Sequence, residues 1–213
     1  MSQRTVIVLA AGRSERFGAG RHKLAQPLGV SSVLAQTLAR AIASHLRTVV
    51  VTTAAFVDVA RSSVAARDVV VLPDVGSDGT APLGMGTSIA AGVSASPDSQ
   101  GWLVLPGDMP LVQPATLLAV ARALDHHPVA YAQHGGRRGH PVGFAAELYS
   151  ELTELTGDEG ARRIIARYPA FAIDVDDPGV LVDIDTEDDL DALRRGFVEP
   201  AAAAPAASIG AAP

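Results

Sequence analysis

Near its amino terminus the chain reads Val6-Ile7-Val8-Leu9-Ala10-Ala11-Gly12-Arg13-Ser14-Glu15-Arg16-Phe17-Gly18, with Lys23 just beyond. An apolar run rich in β-branched residues stops at two alanines and a glycine, then turns polar and basic. A strand buried on both faces has this form where it opens into a loop at its carboxyl end, which commits the chain to a parallel sheet. Small residues let backbone approach a ligand, and Gly12 is free to take a positive φ. Arg13, Arg16 and Lys23 put positive charge where loop N–H groups would face an anion. The segment reads as a phosphate cradle at the edge of a sheet. It contains neither G-x-x-x-x-G-K-[ST] nor G-x-G-x-x-G, which disfavours a P-loop NTPase and a conventional dinucleotide fold.

The strands and helices that follow alternate as this beginning requires. Leu34, Leu38 and Ile42 fall at helical spacing over 31–45, and 47–52 is a second buried strand centred on Val49-Val50-Val51. Helices are expected over 56–66 and 114–125, and strands over 68–72, 101–105, 129–132 and 170–175. The order predicts an α/β fold: a single three-layer domain with a mainly parallel, Rossmann-like sheet and right-handed crossovers. Ligands of such sheets sit beyond the carboxyl ends of the strands, where the first loop already lies. The chain has 213 residues and is 48% hydrophobic but only 4% aromatic, so Val, Leu, Ile and Ala must fill the core. Residues 1–198 are expected to form that domain. Residues 199–213, rich in Ala and Pro, lack periodicity and are expected to be disordered.

Several function classes are disfavoured at this point. A formal net charge of -6 argues against a nucleic-acid binder, so a polyanionic ligand must be met by local charge. Zero cysteines exclude disulfides, thiolate catalysis and cysteine-held metal centres. Neither a signal peptide nor a membrane-spanning stretch is apparent, and a cytoplasmic protein without membrane contact is expected.

Further groups with chemical potential fall near strand ends. The glycine-rich segment Leu83-Gly84-Met85-Gly86-Thr87-Ser88 opens a helix; Thr87 or Ser88 could cap it, or the segment could read a nucleobase and its ribose. Asp108, in Pro106-Gly107-Asp108-Met109-Pro110, follows a strand at the same sheet edge as the cradle. It reads either as a turn former or as a metal ligand. Gly135-Gly136-Arg137-Arg138-Gly139-His140-Pro141 reads first as a tight turn with charged tips, and as chemistry it suits an acceptor carrying a phosphate. Gly157-Asp158-Glu159-Gly160 leads a helix with acids in its first turn. Asp183 and Asp185 alternate with apolar neighbours, as on one face of a short strand, and Thr186 then caps a helix rich in early acids.

Taken in order, L-A-A-G-x-S-x-R-[FM]-G with its lysine, a segment similar to G-M-x-S-S-[IL]-x-x-G, G-D-[MTQ]-P, G-R-x-G-H-P-x-x-F, G-D-x-G-A-R and D-[IV]-[DN]-T-x-[ED]-D-L resemble the MobA-like NTP transferases, nearest to the molybdenum cofactor cytidylyltransferases. The resemblance spans most of the chain from Thr5 to Arg194. Two departures stand out: four residues, Ala19 to His22, separate Gly18 from Lys23, and Ala90 stands where the family has a basic residue. The resemblance implies transfer of CMP from CTP to the terminal phosphate of a molybdopterin-type cofactor, with release of pyrophosphate. It implies nucleotide contacts from Leu9, Ala10, Ala11, Gly12, Arg13, Ser14, Lys23, Gly84, Gly86, Thr87 and Ser88. It assigns acceptor contacts to Arg137, Arg138, Gly139, His140, Pro141 and Asp158, and catalytic roles to Lys23, Arg16 and Asp108. Mg²⁺ would be held by Asp108 and Asp185, with Asp183 in reserve.

The implied partners are the nucleotide and the phosphorylated pterin, with transient contact to a molybdoenzyme or its chaperone. Other readings stay open. A guanylyltransferase would use GTP, and a sugar-phosphate nucleotidyltransferase would use another acceptor. An oxidoreductase of the nicotine blue reductase type would hold NADH or NADPH in the same loop. A non-catalytic carrier of the molybdenum cofactor would need no aspartates.

Overall fold

The computed structural model describes residues 4–14, 17, 21–74 and 84–197. Strand β1 (Thr5–Ala10) is followed by the short antiparallel pair β2 (Pro27–Leu28) and β3 (Ser31–Ser32), then helix α1 (Val33–Ala43). Ser32 caps α1 by accepting from the Ala35 N–H at 3.3 Å. Next come β4 (Arg47–Thr52), α2 (Val57–Ser63), β5 (Val69–Val71), α3 (Gly84–Ser94), β6 (Gly101–Pro106) and α4 (Pro114–Ala123). The chain continues through β7 (Val129–His134), β8 (Arg137–Ala145), α5 (Tyr149–Thr153), α6 (Arg162–Arg167), β9 (Ala170–Asp174) and α7 (Glu187–Gly196).

The seven long strands form one sheet in the order β5-β4-β1-β6-β8-β7-β9. All its neighbouring pairs are parallel except those of β8, which runs antiparallel between β6 and β7. Alternation along β1 sends Val6, Val8 and Ala10 to one face and Ile7 to the other. The first face packs with α1, α4 and α7, whose Leu34, Leu38, Leu117, Val120 and Leu190 are buried. On the second, α3 and α5 pack together over Ile7, Val49 and Trp102. This is the expected three-layer α/β domain. Each fully buried Ile or Val of the central strands contributes roughly 1.5–3 kcal/mol of apolar transfer.

Four local expectations are corrected. Arg137–Ala145 is a nine-residue strand rather than a charged loop; only Gly135 and Gly136, at φ 56° and 74°, make the turn. Residues 182–185 join no strand, although they are extended enough for Ile184 to be buried while Asp183 and Asp185 face the cavity described below. Helix α6 begins at Arg162, so Asp158 and Glu159 lie in the preceding turn and not in its first turn. Thr87 and Ser88 do not cap α3, which already runs from Gly84; the Ser88 hydroxyl donates back to the Gly84 carbonyl at 3.2 Å. The 199–213 tail lies outside the described residues. No helix among the described residues is long and apolar enough to cross a membrane.

Candidate active site

A cavity of about 690 Å³ opens where β1, β5 and β6 end. This lies within the roughly 300–1,000 Å³ range of small-molecule sites, at the strand ends where α/β sheets bind ligands. Its lining draws Leu9 from the end of β1, Gly12 from the first loop, Gly84 and Met85 from the start of α3, and Arg138 and His140 from β8.

The chemistry is concentrated around Lys23. Its Nζ stands 2.5 Å from Oδ2 of Asp108 and 2.8 Å from Oδ1 of Asp185. The three side chains are only 16%, 13% and 26% exposed, so water screens this pairing weakly. Burial opposes the charge on Lys23, but the two carboxylates and their hydrogen bonds outweigh it and hold its pKa above the ordinary lysine value. The four-residue spacing after Gly18 therefore does not remove Lys23 from the site.

Backbone contacts bring the distant segments together. The Gly107 N–H donates to Leu9 O at 2.8 Å and Thr37 Oγ1 donates to Gly107 O at 2.8 Å, tying the ends of β1 and β6 to α1. A Cβ on Gly107 would lie 2.9 Å from Leu9 O, so glycine is needed before the aspartate. The Ile184 N–H then donates to Asp108 O at 3.2 Å, which sets Asp185 beside Asp108. Past it, Thr186 and Asp189 close a reciprocal capping box on α7.

The first loop is arranged differently from expectation. Its positive φ falls on Ser14, at 56°, and not on Gly12. Among the described residues a Cβ on Gly12 would meet nothing within 4 Å. Arg13 reaches over to the Asp74 carbonyl, donating from Nη2 at 2.9 Å. On β8, a Cβ on Gly139 would fall 2.2 Å from Val180 O, so this strand packs directly on the turn that leads to Asp183. Arg138 stacks over Tyr131 at 4.4 Å. Burial, foremost, lowers the His140 pKa; Asp108 and Asp183 pull it up and Arg138 pushes it down. Asp158 sits close to the Gly84 backbone, and the Gly86 N–H donates to Gly157 O at 2.8 Å, joining α3 to the turn before α6.

Of the residues anticipated from sequence, Leu9, Ala11, Gly12, Arg13, Ser14, Lys23, Gly84, Ser88, Asp108, Arg137, Arg138, Gly139, His140, Asp158 and Asp185 line this one cavity, as does Asp183. Ala10, Gly86, Thr87 and Pro141 do not; Ala10 is buried under the loop and Gly86 is turned toward Gly157. Arg16 lies outside the described residues. Sequence reasoning missed His22, Met85 and Asp74, all in the lining. A histidine directly before the lysine was the available signal for the first of these.

A divalent cation suits this donor set. Among the described residues Asp108 Oδ1 is buried with no hydrogen-bond partner, and the second carboxylate is within reach of the same ammonium. Among the described residues no group of three or more His, Asp or Glu side chains is placed to hold a metal. Two carboxylates completed by substrate phosphates is the way Mg²⁺ is commonly bound.

A mainly parallel sheet with a phosphate-type loop, a lysine and paired aspartates at its strand ends defines a nucleotidyltransferase-type α/β domain. The sequence profile of the MobA-like NTP transferase domain matches residues 6–171, and the chain belongs to that family and is a nucleotidyltransferase. It is 30% identical to the purine catabolism protein PucB of Bacillus subtilis over 208 residues, covering 90% of this chain and 96% of that one. The crystal structure of Rv0371c from Mycobacterium tuberculosis superposes with a TM-score of 0.75 at 28% identity, over 91% of this chain and 98% of that one. Rv0371c has also been solved in complex with manganese, with a TM-score of 0.71 at 27% identity, over 91% of this chain and 98% of that one. A nucleotidyl transferase from Methanothermobacter thermautotroptrophicus shares the fold, with a TM-score of 0.73 at 22% identity over 92% of this chain and 98% of that one.

Proposed function

We propose that this chain transfers CMP from CTP to the terminal phosphate of a molybdopterin-type cofactor, releasing pyrophosphate. The observation that carries the reading is the meeting of Lys23, Asp108 and Asp185 in a cavity that also takes in Arg137, Arg138 and His140. The choice of CTP rests on the resemblance of Gly84-Met85-Gly86-Thr87-Ser88 to the cytidylyltransferase segment.

The acceptor monoester has its second pKa near 6, so about pH 7 it is largely dianionic and needs no general base. The barrier is the approach of that dianion to a triphosphate. One acceptor oxygen forms a bond to the α-phosphorus as the bond from that phosphorus to the bridging oxygen of pyrophosphate breaks. Lys23 stays protonated throughout the neutral range and meets the α-phosphate. The loop from Ala11 to Ser14 cradles the triphosphate with its N–H groups, and the family resemblance assigns Arg16 as a further positive charge for it. Arg137 and Arg138 orient the acceptor phosphate, for which a planar guanidinium gives paired hydrogen bonds. Asp108 and Asp185 would hold a divalent ion, Mg²⁺ in this reading; the manganese complex of Rv0371c supports a divalent site in this fold. Such an ion, when bound, offsets charge on the α-phosphate and the leaving pyrophosphate. Catalysis then comes from positioning and fixed charge.

The test is pyrophosphate release with each of CTP, GTP and ATP in the presence of Mg²⁺ and a phosphorylated molybdopterin acceptor. Turnover with CTP is expected. Preference for GTP would overturn the base assignment, and release without acceptor would overturn the transfer reaction.

A further inference from the structure

His22 is half-buried between the first loop and the lysine that loop serves. Its Nε2 lies 2.8 Å from the Gly12 carbonyl oxygen. A carbonyl only accepts, so Nε2 carries the proton and Nδ1 presents its lone pair. That lone pair receives the Leu24 N–H at 3.3 Å, and the Ser14 hydroxyl stands 3.1 Å from the same nitrogen. His22 thereby caps the single 3-10 turn Lys23–Ala25. The ring is fixed in turn by an edge-on contact with buried Phe56, centroids 4.5 Å apart. Burial, foremost, keeps its pKa below the ordinary imidazole value, with the nearby Lys23 charge acting in the same direction against the Gly12 hydrogen bond. The neutral tautomer that the three contacts require is therefore the favoured one.

We infer that His22 is a positioning residue for nucleotide binding, latching the Gly12–Ser14 backbone in the form that receives the triphosphate while setting the stem of Lys23. The inference rests on the nucleotide-transfer reading. The latch joins the two sides of the segment whose spacing departs from the resembled family. Among the described residues a Cβ on Gly12 would have no neighbour within 4 Å, so no side-chain packing on that side competes with the His22 contact in fixing it. Without the imidazole donor the loop is free to sample other conformations, and the nucleotide must order it on binding.

Two substitutions separate the latch from the cap. His22→Asn keeps an acceptor for the Leu24 N–H but cannot span to Gly12, whereas His22→Gln retains a donor long enough to reach it. In His22→Asn the KM for CTP is expected to rise about tenfold, the yield of one lost loop-ordering hydrogen bond, with kcat and the acceptor KM within about twofold. His22→Gln is expected to recover most of that loss. In the nucleotide-free protein, amide exchange of residues 12–14 is expected to quicken about tenfold in His22→Asn and to stay near wild type in His22→Gln. An unchanged CTP KM in His22→Asn, or a KM in His22→Gln as high as in His22→Asn, would overturn the latch. If the wild-type protein turns over no CTP, the nucleotide reading falls instead, and the exchange arm alone decides the latch.

Discussion

Lys23 Nζ donates to Asp185 Oδ1 at 2.8 Å across 162 residues of chain, while pairing with Asp108 through the same ammonium. Three segments that have nothing in common along the sequence are thus held at one point beyond the ends of β1 and β6. One cation between two carboxylates leaves the pair an excess negative charge. A second cation would relieve it, and the nucleotide's phosphates would draw Lys23 away.

That competition sets the first prediction. Lys23→Ala removes the ammonium from the carboxylate oxygens, so the nucleotide-free protein should bind Mn²⁺ more tightly, by about tenfold. CTP affinity should fall in the same variant. Calorimetric titration with Mn²⁺, without and with CTP, checks both signs; weaker Mn²⁺ binding in the variant would contradict the competition.

Asp108→Asn should lower kcat by about a hundredfold or more, the scale of losing one group that organises transition-state charge. Among the described residues its Oδ1 makes no hydrogen bond to be lost, and Lys23 retains Asp185, so the thermal midpoint should move only a few degrees. Steady-state pyrophosphate release and a thermal melt on the same sample separate chemistry from folding.

Two glycines in the cavity wall should respond oppositely. Among the described residues a Cβ on Gly12 has no neighbour within 4 Å and its φ is not in the left-handed region, so Gly12→Ala should keep the melting temperature but raise the CTP KM by crowding the cradle. Gly139→Ala would drive a methyl group to 2.2 Å from Val180 O and should destabilise by about 1–3 kcal/mol. Melts and CTP titrations of the two variants, run in parallel, make the comparison.

Much of this arrangement was legible because buried parallel strands announce themselves. Val6-Ile7-Val8 and Val49-Val50-Val51 could hardly be anything else, and the turn chemistry after them put Asp108 at the cradle's edge. β8 was not legible. Its Arg137-Arg138 pair is exposed and its Pro141 lacks an N–H, so neither alternation nor propensity marks a strand; partners on both sides, β6 and β7, supply the order. Asp183 and Asp185 were placed on the correct face for a reason wider than strand pairing, since any extended backbone alternates its side chains. The place of His22 directly before Lys23 was the one signal for it, but its role is made of contacts to Gly12, Ser14 and Phe56 that only the fold creates.

The pH dependence of stability follows from His22 and His140. Burial, foremost, puts both below the imidazole value of 6.5, so the unfolded chain takes up their protons first as pH falls. Their contribution is complete above about pH 6.5 and is lost as pH drops through the folded-state values. Lys23, raised in the folded state, contributes fully below the ordinary lysine pKa and loses its share only in strong alkali. The melting temperature of wild type should therefore fall as pH drops below about 6.5, and less steeply in a His22→Gln, His140→Gln double variant. Parallel pH profiles for the two proteins would contradict this.

The central claim is that Lys23, Asp108 and Asp185 form one charge-organising centre for nucleotidyl transfer. Its most direct test is CTP-dependent pyrophosphate release onto a phosphorylated molybdopterin acceptor by Asp185→Asn, measured with saturating Mg²⁺. The account predicts a loss of about a hundredfold in kcat in a protein that melts near the wild-type temperature. Wild-type turnover by Asp185→Asn would contradict it.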